Sequence, residues 1–149
     1  MRNNSSKLSE LLKKLKEGEK LLRTLEEGNL KDLSDKDIFH PNGYGSKLAE
    51  SLGIPSVQLR RIYQEFKNLC DLAEKGRIDE ATPRLYKLYA IVEYQAGRGI
   101  INEKFKELVH EILNNIEKHI GKDENTAKEN LKRAYDLMMA IVAYSKKGG

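Results

Sequence analysis

Residues 105–120 read FKELVHEILNNIEKHI, and this stretch carries the clearest helical pattern in the chain. Its apolar side chains recur at intervals of three and four residues: Phe105, Leu108, Val109, Ile112, Leu113, Ile116 and Ile120. That spacing places them along one face of an α-helix and leaves the charged residues on the other. Asn102 is suited to cap the start of the helix, and Gly121 to end it. The pattern predicts an amphipathic helix packed on a helical core.

The other long segments repeat this helical period, and none shows the alternation typical of a β-strand. An amphipathic helix is predicted from Ser6 to Glu27, followed by a linker or hinge over residues 29–45 that contains the turn sequence HPNGYG. Further helices are predicted at Ser46–Leu52, at Pro55–Lys75, from Thr82-Pro83 onward, and from Asp123 or Asn125 onward. The prediction is an all-α bundle of five long helices and one short one.

Domain organisation follows from the same pattern. We expect a single domain overall, made of an N-terminal amphipathic helix (1–28), a flexible linker (29–45) and a helical-bundle core (46–149). The helix that starts at Thr82-Pro83 is apolar around most of its circumference, because Tyr86, Ile91 and Tyr94 widen its stripe. We therefore expect that helix to lie centrally in the bundle.

The composition limits the possible classes of protein. Of 149 residues, 34% are charged, and 27 Lys and Arg against 23 Asp and Glu give a net charge of +4. This basic excess permits an anionic partner without requiring one. A single cysteine excludes an intrachain disulfide, and no apolar run approaches the roughly 18–20 residues of a membrane span. We expect a soluble, cytoplasmic protein with no membrane partner.

Residues suited to catalysis or metal binding are not arranged in a recognisable pattern. His40, His110 and His119 form no i, i+4 pair and have no cysteine at metal-ligand spacing, so exposed histidines are the simplest interpretation. Cys70 falls on the apolar edge of its helix and is interpreted as a small core residue. We predict no catalytic residues, no bound metal and no cofactor, and hence a protein that is not an enzyme.

Residues 54–66 read IPSVQLRRIYQEF and combine an apolar stripe with basic and polar groups. Arg60, Gln64 and Lys67 share one flank of this helix, Arg61 points away from the core, and Gln58 lies at the opposite edge of the stripe. Such groups near a helix N-terminus favour an anion such as phosphate. The alternative is a solvated surface on which nearby acidic residues pair with the basic ones: Glu65, Asp71 and Glu74.

Three motifs resemble the small subunit of type III-A CRISPR effector complexes, the Csm small-subunit family. IPSVQLRRIYQEF is similar to a family motif in which Gln58, Arg60 and Tyr63 match Gln, Arg and Tyr. KLYAIVEYQAGR (87–98) is similar to a second motif and places Arg98 on a basic position of the family. AIVAYSKKGG (140–149) resembles the family's C-terminal ending, although Ser145 stands where histidine is common. The first forty residues carry no matching motif.

The resemblance implies a non-catalytic structural subunit that repeats along a ribonucleoprotein, beside guide RNA paired with target RNA. Its partners would be guide RNA, target RNA, other type III-A subunits and copies of itself. The candidate RNA-binding residues are Gln58, Arg60, Arg61, Lys67, Arg98, Lys47, Lys87 and Lys146. The alternative is a self-associating helical scaffold without RNA contact, in which the N-terminal helix swaps between the copies of a homodimer. Packing of that helix on its own bundle is the competing interpretation.

Overall fold

A computed structural model describes residues 6–145, and every regular element within that range is helical. In chain order these are α1 (Lys7–Lys14), α2 (Gly18–Glu26), a 3-10 turn (Leu30–Asp32), α3 (Asp35–Phe39), α4 (Tyr44–Leu52), α5 (Ser56–Glu74), α6 (Ile78–Gly97), α7 (Glu103–Glu117) and α8 (Glu124–Tyr144). The predicted all-α class is confirmed. The division into helices differs from the prediction in three places. None of these helices has the length and apolarity needed to cross a membrane.

The N-terminal helix predicted over Ser6–Glu27 is two helices, α1 and α2. Ser6 caps α1 by accepting a hydrogen bond from the backbone N–H of Ser9 at 3.0 Å. The chain then turns at Glu17, which adopts a left-handed conformation with φ of 61°. Gly18 sits so close to the end of α1 that a Cβ there would lie 1.8 Å from the carbonyl oxygen of Leu12. The tight turn therefore requires glycine, and it ends the helical period that the leucines alone would have continued.

The segment predicted as a flexible linker is folded onto the bundle. It contains the 3-10 turn and α3, and its apolar side chains are buried: Leu30, Leu33, Ile38 and Tyr44. Ser34 and Asp37 form a capping box at the start of α3. These buried residues are widely spaced among polar and turn residues, so they produce no helical period. That spacing is why the sequence pattern indicated a linker.

Two buried asparagines attach this segment to the bundle. Asn115 of α7 accepts a hydrogen bond from the N–H of Leu30 at 2.9 Å and donates to the carbonyl oxygens of Leu25, Gly28 and Thr24 at 2.9–3.1 Å. Asn130 of α8 accepts a hydrogen bond from the N–H of Lys31 at 2.9 Å. The carbonyl groups that end α2 are thus satisfied by a side chain of another helix, which holds the N-terminal helices against α7.

The central helix of the bundle is α8, whereas α6 lies at the periphery. α8 packs against α3, α4, α5, α7 and the 3-10 turn, whereas the main packing partners of α6 are α5 and α7. On α6, Leu85, Leu88 and Val92 are buried, but Tyr86 and Tyr94 are 50% and 62% exposed. The prediction of a central α6 is wrong, because neighbouring helices cover only one of its sides.

The start of α6 also differs from the prediction. The helix begins at Ile78, one turn before Thr82-Pro83. The hydroxyl of Thr82 donates to the carbonyl oxygen of Ile78 at 2.9 Å, so Thr82 does not act as an N-cap. Asp79 and Glu80 occupy the first turn, where negative charge is favourable. Pro83 is then accommodated inside the helix, close to its N-terminal end.

Candidate nucleic-acid interface

The first two turns of α5 present two arginines to solvent. The helix buries Leu59, Ile62 and Phe66 against the core. Arg60 and Arg61 are exposed on its outer side. Their position follows from helical geometry, since they lie between the buried positions of the stripe.

Neither arginine has an acidic partner in the part of the chain that the structure describes. Within residues 6–145, no carboxylate forms an ion pair with Arg60 or Arg61. Lys67 differs, because its Nζ lies 3.4 Å from Asp71 Oδ2 in an exposed i, i+4 pair. Such a pair contributes only about 0.3–0.5 kcal/mol, so a phosphate can compete for the lysine. The pairing alternative raised from the sequence therefore holds for Lys67 but for neither arginine.

The remaining motif positions of α5 face inward in part. Gln58 is half-buried, and its Oε1 accepts no hydrogen bond from the part of the chain that the structure describes. Tyr63 stacks on Tyr135 of α8, with ring centroids 5.5 Å apart and an angle of 17° between the planes. The hydroxyls lie 3.3 Å apart, and this hydrogen bond with burial raises the pKa of Tyr135 to about 12. Tyr63 thus joins α5 to α8.

Arg98 lies at the same end of the α5–α6 hairpin as Arg60 and Arg61. A three-residue connection joins these two packed helices, so they run antiparallel, and the start of α5 lies beside the end of α6. The side chain of Asn102, just after α6, donates to the carbonyl oxygen of Leu52, just before α5, at 2.8 Å. Arg98 has no carboxylate partner within residues 6–145, and its guanidinium lies 5.7 Å from the ring centroid of Tyr94. The fold thus brings Arg60, Arg61 and Arg98 to one end of the α5–α6 hairpin, and none of them pairs with a carboxylate among the described residues.

The other candidate lysines are dispersed. Lys87 is exposed midway along α6. Lys47 donates to the carbonyl oxygen of Lys16 at 3.0 Å and lies 5.8 Å from the ring centroid of Tyr44, so it ties α4 to the turn between α1 and α2. Lys146 lies outside the described residues. The structure therefore does not bring Lys47 together with the three arginines.

The cysteine and histidine side chains that were considered for catalysis or metal binding take part in packing and hydrogen bonding within the fold. Cys70 is buried, its Sγ donates to the carbonyl oxygen of Leu131 at 3.4 Å, and burial raises the pKa of its thiol to about 12. This confirms its interpretation as a core residue. His119 was expected to be exposed, but it is partly buried, with Nε2 2.7 Å from Asn29 Oδ1. Among residues 6–145, no cluster of three or more His, Cys, Asp or Glu side chains could hold a metal ion.

Sequence reasoning missed the exposed tyrosines of α6. Tyr86 and Tyr94 are eight residues apart, on the side opposite the buried stripe of Leu85, Leu88 and Val92. The strict spacing of that stripe is the signal that could have separated core from surface. Because Tyr86 and Tyr94 are aromatic, they made the apolar face of α6 look wider than the stripe that is buried, and the stripe was not recognised.

Over residues 6–145, the fold and these surfaces define a small all-helical protein with exposed arginines at one end of a helical hairpin, where no described carboxylate pairs with them. Residues 35–149 match the family described as Csm2 Type III-A, and the chain belongs to this family. The protein is thus a Csm small subunit, a structural component of type III-A CRISPR complexes that associates with other Csm subunits. The resemblance seen in the three sequence motifs is confirmed, and the match begins at Asp35, upstream of those motifs. No curated protein and no solved structure matches the chain.

Proposed function

We propose that the chain is a non-catalytic, RNA-binding subunit that repeats along guide and target RNA in a cytoplasmic type III-A ribonucleoprotein of prokaryotic antiviral defence. The observation that carries this proposal is the group of Arg60, Arg61 and Arg98 at one end of the α5–α6 hairpin. These arginines have no carboxylate partner within the described residues. Base pairing between guide and target reads the sequence, and the protein binds the phosphate backbone.

The chemistry of arginine suits this role. Its planar guanidinium donates two parallel hydrogen bonds to a phosphate, and it stays charged at every physiological pH. Because phosphate contacts release counterions, affinity for single-stranded RNA falls with the logarithm of salt concentration by a slope of about −0.7 per contact. One subunit makes few contacts, so repetition of the subunit along the RNA multiplies a weak individual affinity.

The test compares two double variants of the full chain in titrations of single-stranded RNA at 50 and 200 mM salt. Arg60→Ala/Arg61→Ala removes two proposed contacts. Lys122→Ala/Lys128→Ala removes the same charge from exposed positions elsewhere, since Lys128 lines a small cavity with Ala73 at the other end of α5. If each arginine contacts a phosphate, the fourfold rise in salt should weaken wild-type binding about 7-fold more than it weakens binding by the arginine variant.

The lysine variant should keep the wild-type salt slope, because the charge it loses lies outside the proposed contacts. Equal affinities and equal salt slopes for all three proteins would overturn the assignment of RNA contact to α5. The assembly part of the proposal is tested separately. The chain, co-expressed with the other type III-A subunits and a guide RNA, should co-purify in the ribonucleoprotein, and the arginine variant should hold less RNA per subunit.

Formation of a homodimer by swapping of the N-terminal helices is a prediction that no described contact favours. Residues 7–26 pack on their own bundle, where Glu107 of α7 accepts a hydrogen bond from the N–H of Leu8 at 2.8 Å. Removing residues 1–40 would delete buried leucines and expose the core surface that they cover, so a truncated chain is a poor probe of self-association. Light scattering of the full chain over a range of concentrations is the appropriate test, and a monomer throughout would reject self-association of the free protein.

A further inference from the structure

One side of α6 faces solvent with aromatic and small side chains. Helical spacing aligns Pro83, Ala90 and Gly97 along this side, with Tyr86 and Tyr94 next to them. Tyr86 is 50% exposed and Tyr94 is 62% exposed. Together with Lys87 and Arg98 on the same side, these residues form what we call the α6 outer face. Large apolar side chains grouped on an exposed helix commonly mark a binding surface.

Beyond the acidic first turn of α6, which holds Asp79 and Glu80, positive charges outnumber negative ones by three to one. Glu93 is the sole acidic residue between positions 83 and 98, and Lys106 of α7 approaches it to 3.1 Å. Arg84, Lys87 and Arg98 form no ion pair with a carboxylate within residues 6–145. The α6 outer face therefore combines exposed aromatic rings with unpaired cations, and its complement is a partner with planar rings and negative charge.

We propose that the α6 outer face is a stacking surface for unpaired nucleobases of single-stranded RNA, with Tyr86 and Tyr94 as the two platforms. This inference rests on the proposed function and extends it from the phosphate backbone to the bases. An exposed tyrosine ring stacks on any base, while neighbouring cations bind the phosphates. Arg98 lies within 6 Å of the Tyr94 ring, so a base stacked there has a cation beside it.

The spacing of the two rings fits a short stretch of RNA. Eight residues separate Tyr86 and Tyr94, which corresponds to about 12 Å along the helix axis. Ala90 lies between them and Gly97 beyond them, and a Cβ added at Gly97 would meet nothing within 4 Å. The small residues leave room for a strand to approach the helix backbone between the two platforms.

A second copy of the chain is a poorer occupant. Packing two α6 outer faces against each other would place Lys87 and Arg98 of one copy near those of the other, and the like charges would repel. A protein partner with acidic side chains would also fit the charge, and it would pack on the rings without a stacked base. These alternatives are therefore treated as outcomes of the test.

The test measures binding of the full chain to two probes of equal length and charge: single-stranded oligoadenylate, and an oligomer that has the same backbone but no bases. Tyr86→Leu/Tyr94→Leu removes both rings while it retains apolar surface. Tyr86→Phe/Tyr94→Phe is the matched control, because it keeps the rings and loses only the hydroxyls. Both tyrosines are at least half exposed, so the variants should fold, which thermal unfolding verifies.

We expect wild type and the phenylalanine variant to bind oligoadenylate more tightly than the abasic oligomer. The leucine variant should bind oligoadenylate about 25-fold more weakly than wild type. This figure assumes a loss of about 5-fold in affinity for each ring, the low end of measured stacking contributions. Its affinity for the abasic oligomer should not change. The chain has seven tyrosines and no tryptophan, so quenching of tyrosine fluorescence by oligoadenylate can also be followed.

Three results would overturn the inference. If wild type binds both probes equally and in a salt-dependent manner, stacking is rejected while the proposed backbone contact stands. If wild type binds neither probe, both the inference and the assignment of RNA binding to the free chain fail, whereas the assembly part of the proposed function is decided by the co-purification experiment. If Tyr94→Glu leaves oligoadenylate binding unchanged but releases the chain from the other type III-A subunits, the α6 outer face is a protein-docking surface instead.

Discussion

Replacing Asn115 with alanine should weaken the attachment of the N-terminal helices to the bundle and lower the stability of the whole protein. Asn115 is fully buried in α7, and its side chain bonds backbone groups between Thr24 and Leu30. Those groups lie about 85–91 positions away along the sequence. No other polar side chain in the described structure accepts the N–H of Leu30. The variant therefore removes a specific connection between distant parts of the chain.

The magnitude follows from the groups left without a partner. The N–H of Leu30 and the carbonyl oxygen of Leu25 are both buried, and each unsatisfied buried group costs about 1–3 kcal/mol. The carbonyl oxygen of Gly28 keeps a hydrogen bond from Lys118 Nζ at 2.7 Å, so losing the bond from Asn115 costs less there than at Leu25. Alanine is also a better helix former than asparagine, which returns a few tenths of a kcal/mol. The expected loss in the free energy of unfolding is about 3 kcal/mol.

Urea unfolding followed by circular dichroism measures this loss. With an m value of about 2 kcal/mol per molar urea, the midpoint should fall by about 1.5 M, and the melting temperature by about 6–12 °C. Asn68→Ala is the control, because within residues 6–145 the side chain of Asn68 hydrogen-bonds only to Gln64 on the surface of α5. Its removal should change stability by less than about 0.5 kcal/mol. A loss below about 1 kcal/mol for Asn115→Ala would refute the reasoning.

Two further predictions concern packing and pH. A Cβ at Gly45 would lie 2.3 Å from Cβ of Ala140, so Gly45→Ala should destabilise the protein by about 2 kcal/mol or more in urea unfolding. Gly97→Ala, which meets nothing, should instead be neutral or stabilise by up to about 1 kcal/mol, and equal effects would contradict the packing argument. Burial raises the pKa of Asp136 above its ordinary value, so its ionisation costs stability once the pH rises through the folded-state pKa. Asp136→Asn should therefore be more stable than wild type at pH 7, with a gain that vanishes near pH 4 in thermal unfolding; a constant gain would indicate another cause.

The all-helical class, the core stripe of α7 and the burial of Cys70 follow from the sequence alone. Each rests on local periodicity, which requires only the geometry of one helix. The exposure of Arg60 and Arg61 follows in the same way, because both lie between buried positions of α5. Three short sequence motifs also indicated the family. The family match itself extends over residues 35–149.

Contacts between distant residues decided the rest. The turn at Glu17 depends on how closely Gly18 approaches α1, and the folding of residues 29–45 depends on Asn115 and Asn130, which lie on other helices. Tertiary packing also determined which side of α6 faces solvent. The spacing of apolar residues along one helix does not show how many other helices pack against it. The antiparallel course of α5 and α6 brings Arg98 to the end of the hairpin where Arg60 and Arg61 lie, although 37 positions separate Arg61 from Arg98 in the sequence.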